Sequence, residues 1–290
     1  MRNLLMFLVT SSLMLLASAP ASANDSSSDA YDFSAADAQY ALRSTSEDGV
    51  AAISKALSLY REALDQLSDD DLLYAVAQIS RLYAYLGDMV LPMDASKQRM
   101  RTFDNCLDTL KKYIEPGKFG RKTPEYYYFK ITCLALWGKS ANPLQALIRI
   151  PTLKSAIDEG MKLDTRLEGG GILRMVAAVY LNQKAKPLGL YRPKEAADLI
   201  DRALKSEEIE DRAYPYPISG ADMLENYYFQ AISLWENDRK DDAITLLEDT
   251  IAEYEELIEM DALFEGREPE TLIYVDRTKN LLKQYTQDNQ

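Results

Sequence analysis

Histidine is missing from all 290 residues. Its absence removes the commonest general base and the commonest zinc ligand together. Cysteine is scarce. Cys106 and Cys133 are the only two, and without histidine they do not make a zinc site. Basic residues are outnumbered, 33 Lys and Arg against 46 Asp and Glu, for a net charge of −13. Nucleic acid and anionic membrane surfaces both recruit clustered cations, so neither is an expected partner. After the first 23 residues no apolar run approaches the roughly 18 residues of a membrane span. No stretch alternates polar and apolar residues as a half-buried strand does. No S-x-x-K or G-x-S-x-G occurs, and calcium loops of the D-x-D-x-D-G type are absent. Gly138-Lys139-Ser140 has the end of a phosphate loop, but the position needing its first glycine is Cys133.

What is abundant is acid and tyrosine. The runs Asp69-Asp70-Asp71, Glu207-Glu208 and Glu255-Glu256 fall at helix starts or on exposed faces, where carboxylates favour the helix dipole or keep a surface solvated. They are not expected to work as a catalytic pair across a cleft. The expectation is a protein that is not an enzyme, with no catalytic residues, metal or cofactor.

Residues 1–23 have the grammar of a secretory signal: Arg2, an apolar run from Leu4 to Ala17, and Ala21-Ser22-Ala23 before an expected cut at Asn24. An uncut anchor is the alternative, and the run is short for one. The expected product is a soluble, exported chain, periplasmic or secreted. Export gives the cysteines meaning, because an oxidising compartment permits a Cys106–Cys133 bridge. Two buried free thiols are the other reading.

Residues 24–34, rich in Ser and Asp, read as a disordered lead-in. From 35 to 287 nearly everything has helical spacing, in one domain. Asp94 is a candidate cap for a helix ending near Ile114. Thr123-Pro124-Glu125 and Glu268-Pro269-Glu270 are helix starts, Gly138 is read as a helix end, and Ile150-Pro151 should break or kink the helix opened by Asn142-Pro143. Of Tyr126, Tyr127 and Tyr128, at most one or two are expected in the core. A small–large–small spacing recurs at Ala56, Tyr60 and Ala63, at Ala196, Ile200 and Ala203, and at Ala243, Leu247 and Thr250. Small-then-large pairs accompany it at Ala177 and Tyr180 and at Ala231 and Leu234. Small residues let two helix backbones approach, and large ones fill the gap on the same face. The pattern predicts an all-α, irregular tetratricopeptide-like solenoid of about five helical hairpins and a capping helix.

The segment Gly169-Gly170-Gly171-Ile172-Leu173-Arg174, then Val179-Tyr180, then Pro187-Leu188-Gly189 ahead of a repeat helix, then Glu225-Asn226, resembles the T component of TRAP-associated tripartite transporters. The resemblance covers roughly residues 164–258. It implies a periplasmic helical-repeat protein that oligomerises, partners a solute-binding protein and can pass a small or apolar ligand. The chain departs from that family in lacking the lipid-attachment cysteine of some members and in its acidic loop Glu207 to Asp211. A general envelope scaffold for protein partners is the competing function.

The expected binding surface joins Gly169, Gly170, Gly171, Arg174 and Tyr180 to the loop Lys184–Arg192, with Lys186, Tyr191 and Arg192, and to Tyr214 and Tyr216. The glycines permit close approach of another group, or else merely turn the chain between repeats. The tyrosines pack the repeats or wall a groove. Arg174 pairs with Glu168 or Asp164, or contacts an anion at a helix start.

Overall fold

The structure is a computed structural model that describes residues 31–289 except 211, 213, 215 and 216. The expected signal segment, its cleavage site and Tyr216 lie outside the described residues. Of the expected lead-in, Tyr31–Ser34 are part of the fold, with Phe33 buried against Tyr60 and Tyr74.

Twelve α-helices and no strand occur among the described residues; one isolated bridge pairs Ile209 with Ile218. The helices are α1 (Ser34–Ala41), α2 (Glu47–Ala63), α3 (Asp69–Tyr85), α4 (Ser96–Tyr113), α5 (Pro116–Phe119) and α6 (Pro124–Ser140). They continue with α7 (Pro143–Gly160), α8 (Leu167–Leu181), α9 (Pro193–Leu204), α10 (Leu224–Glu236), α11 (Lys240–Glu259) and α12 (Glu268–Asp288). Local chemistry sets the starts. Ser46 caps α2 by accepting from the Gly49 amide, Thr123 caps α6 ahead of Pro124, and Asn142 with Gln145 forms a full capping box on α7.

Most neighbours in sequence pack on each other, the short α5 and the α7–α8 pair excepted, and so do α3 and α6, α6 and α8, α8 and α10, and α10 and α12. The small residues of the recurring spacing lie inside. Ala56, Ala63, Ala196, Ala203, Ala231 and Ala243 are all buried, with Tyr60, Ile200 and Leu247 beside them. The Cys106 and Cys133 sulfurs are bonded, tying α4 to α6 with their Cα atoms 6.5 Å apart.

Several local expectations are corrected. The residue before α4 is Ala95, not a capping Asp94. Gly138 lies inside α6, which runs on to Ser140 and ends where Pro143 forces Asn142 into extended backbone. α7 continues through Pro151, which sits on an exposed face where water can take the freed Leu147 carbonyl. Tyr126, Tyr127 and Tyr128 are all buried, because α6 touches α3, α4, α7 and α8. The Lys184–Arg192 segment is not an open loop. A 3₁₀ helix, Gln183–Leu188, fills most of it, started by the Asn182 side chain and ended by left-handed Gly189.

Candidate functional site

Alternate helices α3, α6, α8, α10 and α12 line a cavity of about 1340 Å³, with the N-terminal half of α7 and the 3₁₀ helix at its side. Much of the wall is apolar: Met89, Leu134, Leu136, Met175, Val179, Phe229 and Ile232 contribute to it. The rest is charged, and the charges are organised in three clusters.

The first centres on Glu168, which is 1% exposed and stands at φ 55° in the left-handed region. A Cβ-bearing residue is strained there, so the surroundings must hold it. They do so through its carboxylate. Arg81 donates Nε–H to Oε1 at 2.5 Å, and the Tyr214 hydroxyl donates to Oε2 at 2.8 Å. Arg267 stands 3.7 Å from the same carboxylate and ion-pairs with Glu225 on its other side. Burial alone would raise the Glu168 pKa, but the Arg81 and Arg267 charges and the two hydrogen bonds outweigh it and hold the group down at about 2. Burial pushes the Tyr214 hydroxyl well up, so it stays a donor.

Glu168 is followed by Gly169 at φ 55° and Gly170 at φ 80°. Three left-handed residues in a row turn the chain sharply into the body of α8. The groups that approach these glycines belong to the chain itself. A Cβ on Gly170 would meet the Ala203 Cα at 2.8 Å, and one on Gly169 would meet the Ser219 carbonyl at 2.4 Å. Arg174, one turn into α8, locks the bend. It donates to the carbonyls of Gly169 (3.3 Å) and Glu168 (3.1 Å) and to the Asn226 side chain (3.1 Å), and Asn226 in turn donates to Gly169 and Gly220. The expected pairing of Arg174 with an acid is corrected: the Glu168 carboxylate has been taken by Arg81, and Asp164 pairs with Arg166.

The second cluster centres on Asp88 in the π-helical turn Leu86–Val90. Arg277 at 2.9 Å, Arg99 at 3.2 Å and Lys139 at 3.3 Å surround it. Burial would raise its pKa, but the three cations win and hold it at about 2. Arg99 is fully buried, bonded also to Ser140 and the Leu91 carbonyl. In the third cluster Arg43 grips Glu270 with two bonds, 2.8 and 2.6 Å, across 227 residues. Arg43 with Glu270 brings the start of the described fold against α12, and Arg277 of α12 joins Asp88.

Of the expected binding surface, Arg174 and Lys186 line the cavity, joined by Lys184, Ala185, Pro187, Leu188 and Leu190 of the expected loop. Gly169, Gly170, Gly171 and Tyr214 stand behind it as the supports of Glu168 and Arg174. Tyr180, Tyr191 and Arg192 form another group around the 3₁₀ helix. Arg192 lies over the Tyr180 ring, Lys186 over the Tyr191 ring, and the Tyr191 hydroxyl bonds Glu236. The sequence reading did not place Arg81, Asp88, Arg267 or Arg277 in the site; Glu225 entered it only through the resemblance and Glu270 only as part of a helix start. Arg81 carried a visible signal, a lone cation inside the apolar run Ala75–Tyr85.

No protein-family model matches the chain, and no curated protein is similar to it.

Proposed function

We propose that this chain is an exported, non-enzymatic helical-repeat binding protein whose cavity holds a small, largely apolar ligand. The observation that carries this reading is the cavity itself. Its volume of about 1340 Å³ exceeds the ~300–1,000 Å³ of drug-sized sites, and it combines an apolar wall with a few fixed charges. The packing of alternate helices α3, α6, α8, α10 and α12 supports an irregular tetratricopeptide-like solenoid whose inner helices face the ligand. The cavity carboxylates are each engaged by arginine, and Glu168 and Asp88 are held deprotonated, which favours binding over proton transfer. With the Gly-Gly-Gly-x-x-Arg resemblance, this supports a role like that of the T component that partners a periplasmic solute-binding protein, with self-association.

One observation favours the second reading, an envelope scaffold for protein partners. Leu144, Leu147 and Ile148 are 76%, 48% and 79% exposed and form a stripe on α7 beside the cavity. Two measurements test these proposals. Native mass spectrometry of the exported chain should begin at Asn24 and carry a releasable small molecule. Crosslinked pull-down from periplasmic extract should recover a solute-binding protein. Recovery of envelope machinery alone, with no small molecule, overturns the ligand reading in favour of the scaffold.

A further inference from the structure

Among the described residues lining the cavity, eight are Lys or Arg and four are Asp or Glu, in a chain that carries 33 basic and 46 acidic residues. The excess is local. Asp88 answers three cations. Arg174 answers none of the carboxylates. It is 4% exposed, its three hydrogen bonds go to neutral oxygens, and no carboxylate reaches it. A guanidinium carries five N–H groups, so two remain unspent. A buried cation without a counter-ion is costly, and an anion that reaches it is bound strongly.

A second donor lies within electrostatic range of it. The Tyr128 ring lies against Gly171, where a Cβ would come within 2.8 Å of it, at the start of the turn that carries Arg174. Tyr128 lines the cavity, and its hydroxyl has no hydrogen-bond partner in the protein and lies within range of the charges of Glu168 and Arg174. Burial pushes its pKa up to about 12, so it holds its proton and can donate. Glu168, the carboxylate that acts most on it, is already engaged by Arg81 and Arg267.

We infer that the cavity takes an amphipathic organic anion. Its carboxylate or phosphate head is received by the Arg174 guanidinium and the Tyr128 hydroxyl, and its apolar body lies along Met89, Leu136, Met175, Val179, Phe229 and Ile232. This rests on the binding-protein reading and adds the charge and chemistry of the ligand.

The test uses the purified full chain loaded with N-phenyl-1-naphthylamine, a neutral apolar fluorophore. Four displacers of equal chain length are compared: dodecanoate, dodecyl phosphate, dodecanol and dodecyltrimethylammonium. The anions should displace the probe at concentrations at least about tenfold below the alcohol and the cation, the scale of one hydrogen bond to a charged group. The better of the two anions identifies the head group. Tyr128→Phe, which keeps the ring, and Arg174→Gln should each remove most of that preference and leave dodecanol unchanged. Circular dichroism checks the fold, and if Arg174→Gln unfolds, Tyr128→Phe decides. Equal displacement by acid and alcohol overturns the anion inference while the cavity reading stands. If neither the probe nor any displacer binds, both fall.

Discussion

Arg81 and Glu168 are 87 residues apart in the chain and 2.5 Å apart in the fold, both almost wholly buried. The pair joins α3 to the bend that opens α8, and it is the means by which a glutamate is held in left-handed backbone. Removing one partner of such a pair strands the other charge away from water. Glu168→Gln should therefore destabilise the chain by about 3–5 kcal/mol, read from urea unfolding. A loss under about 1 kcal/mol would show that water reaches Arg81 and Arg267 freely.

Acid should act on the same groups. Glu168 and Asp88 have folded pKa values of about 2, below their ordinary 4.5 and 3.8. A depressed pKa means the unfolded chain takes up the proton first. The stability these groups contribute is whole above about pH 4.5 and is lost as pH falls toward 2. Thermal unfolding from pH 7 to 2 should show a flat upper region and a fall below about 4.5, shallower in Glu168→Gln. An equal fall in that variant would place the acid sensitivity elsewhere.

Reducing the bridge between Cys106 and Cys133 should cost about 3–4 kcal/mol, the loop-closure entropy for cysteines 27 positions apart. The double variant Cys106→Ala with Cys133→Ala should match the reduced protein to within about 1–2 kcal/mol, the difference being the two lost side chains. An unchanged melting temperature on reduction would contradict this.

Two glycines with positive φ should respond unequally to alanine. Gly189 has nothing within 4 Å of the added Cβ, so only the left-handed strain of about 1–2 kcal/mol is expected. Gly170 carries the same strain and would press on the Ala203 backbone, which cannot yield. Gly170→Ala should cost at least about 2 kcal/mol more than Gly189→Ala, the scale of an overpacked contact. Similar losses from both would mean α9 can shift.

α7 should open in two halves. Its buried residues, Leu153, Ala156, Ile157 and Gly160, all follow Pro151, whereas Leu144, Leu147 and Ile148 face solvent. Arg149, which pairs with Asp104 at 2.6 Å and lies over the Trp137 ring, fastens the first half. Amide exchange at 144–150 should run well ahead of 153–160. In a Trp235→Phe background, Arg149→Ala should increase acrylamide quenching of Trp137. Uniform protection along α7 would show that Pro151 does not divide it.

The helices were legible because their signals are local. Ala56 with Tyr60 and Ala63, and Ala196 with Ile200 and Ala203, need only a periodicity and a size pattern, and they are buried as close crossings require. The charged wall was not legible, because each pair is closed by a partner far along the chain. Glu168 finds Arg81, Asp88 finds Arg277 across 189 residues, and nothing near either announces it. Arg174 stood out as a lone cation in an apolar helix, and Arg81 offered the same cue. No local feature says that Glu168, rather than the glycines after it, begins the left-handed turn. The burial of all three tyrosines on α6 depended on four neighbouring helices that a one-helix reading does not contain.

The Arg43–Glu270 link also has a timetable. A ribosome adding about 5–20 residues per second needs roughly ten to forty-five seconds to go from one residue to the other, given their separation of 227. Through that interval Arg43 has no Glu270, Asp88 has no Arg277, and Glu168 has no Arg267. The newborn chain can form its helices in order, yet the pairs Arg43–Glu270 and Asp88–Arg277 are made only when α12 arrives. A message that stops short of Glu268 would release a chain with Arg43 unpaired and Asp88 short of Arg277, a form that quality-control proteases should recognise.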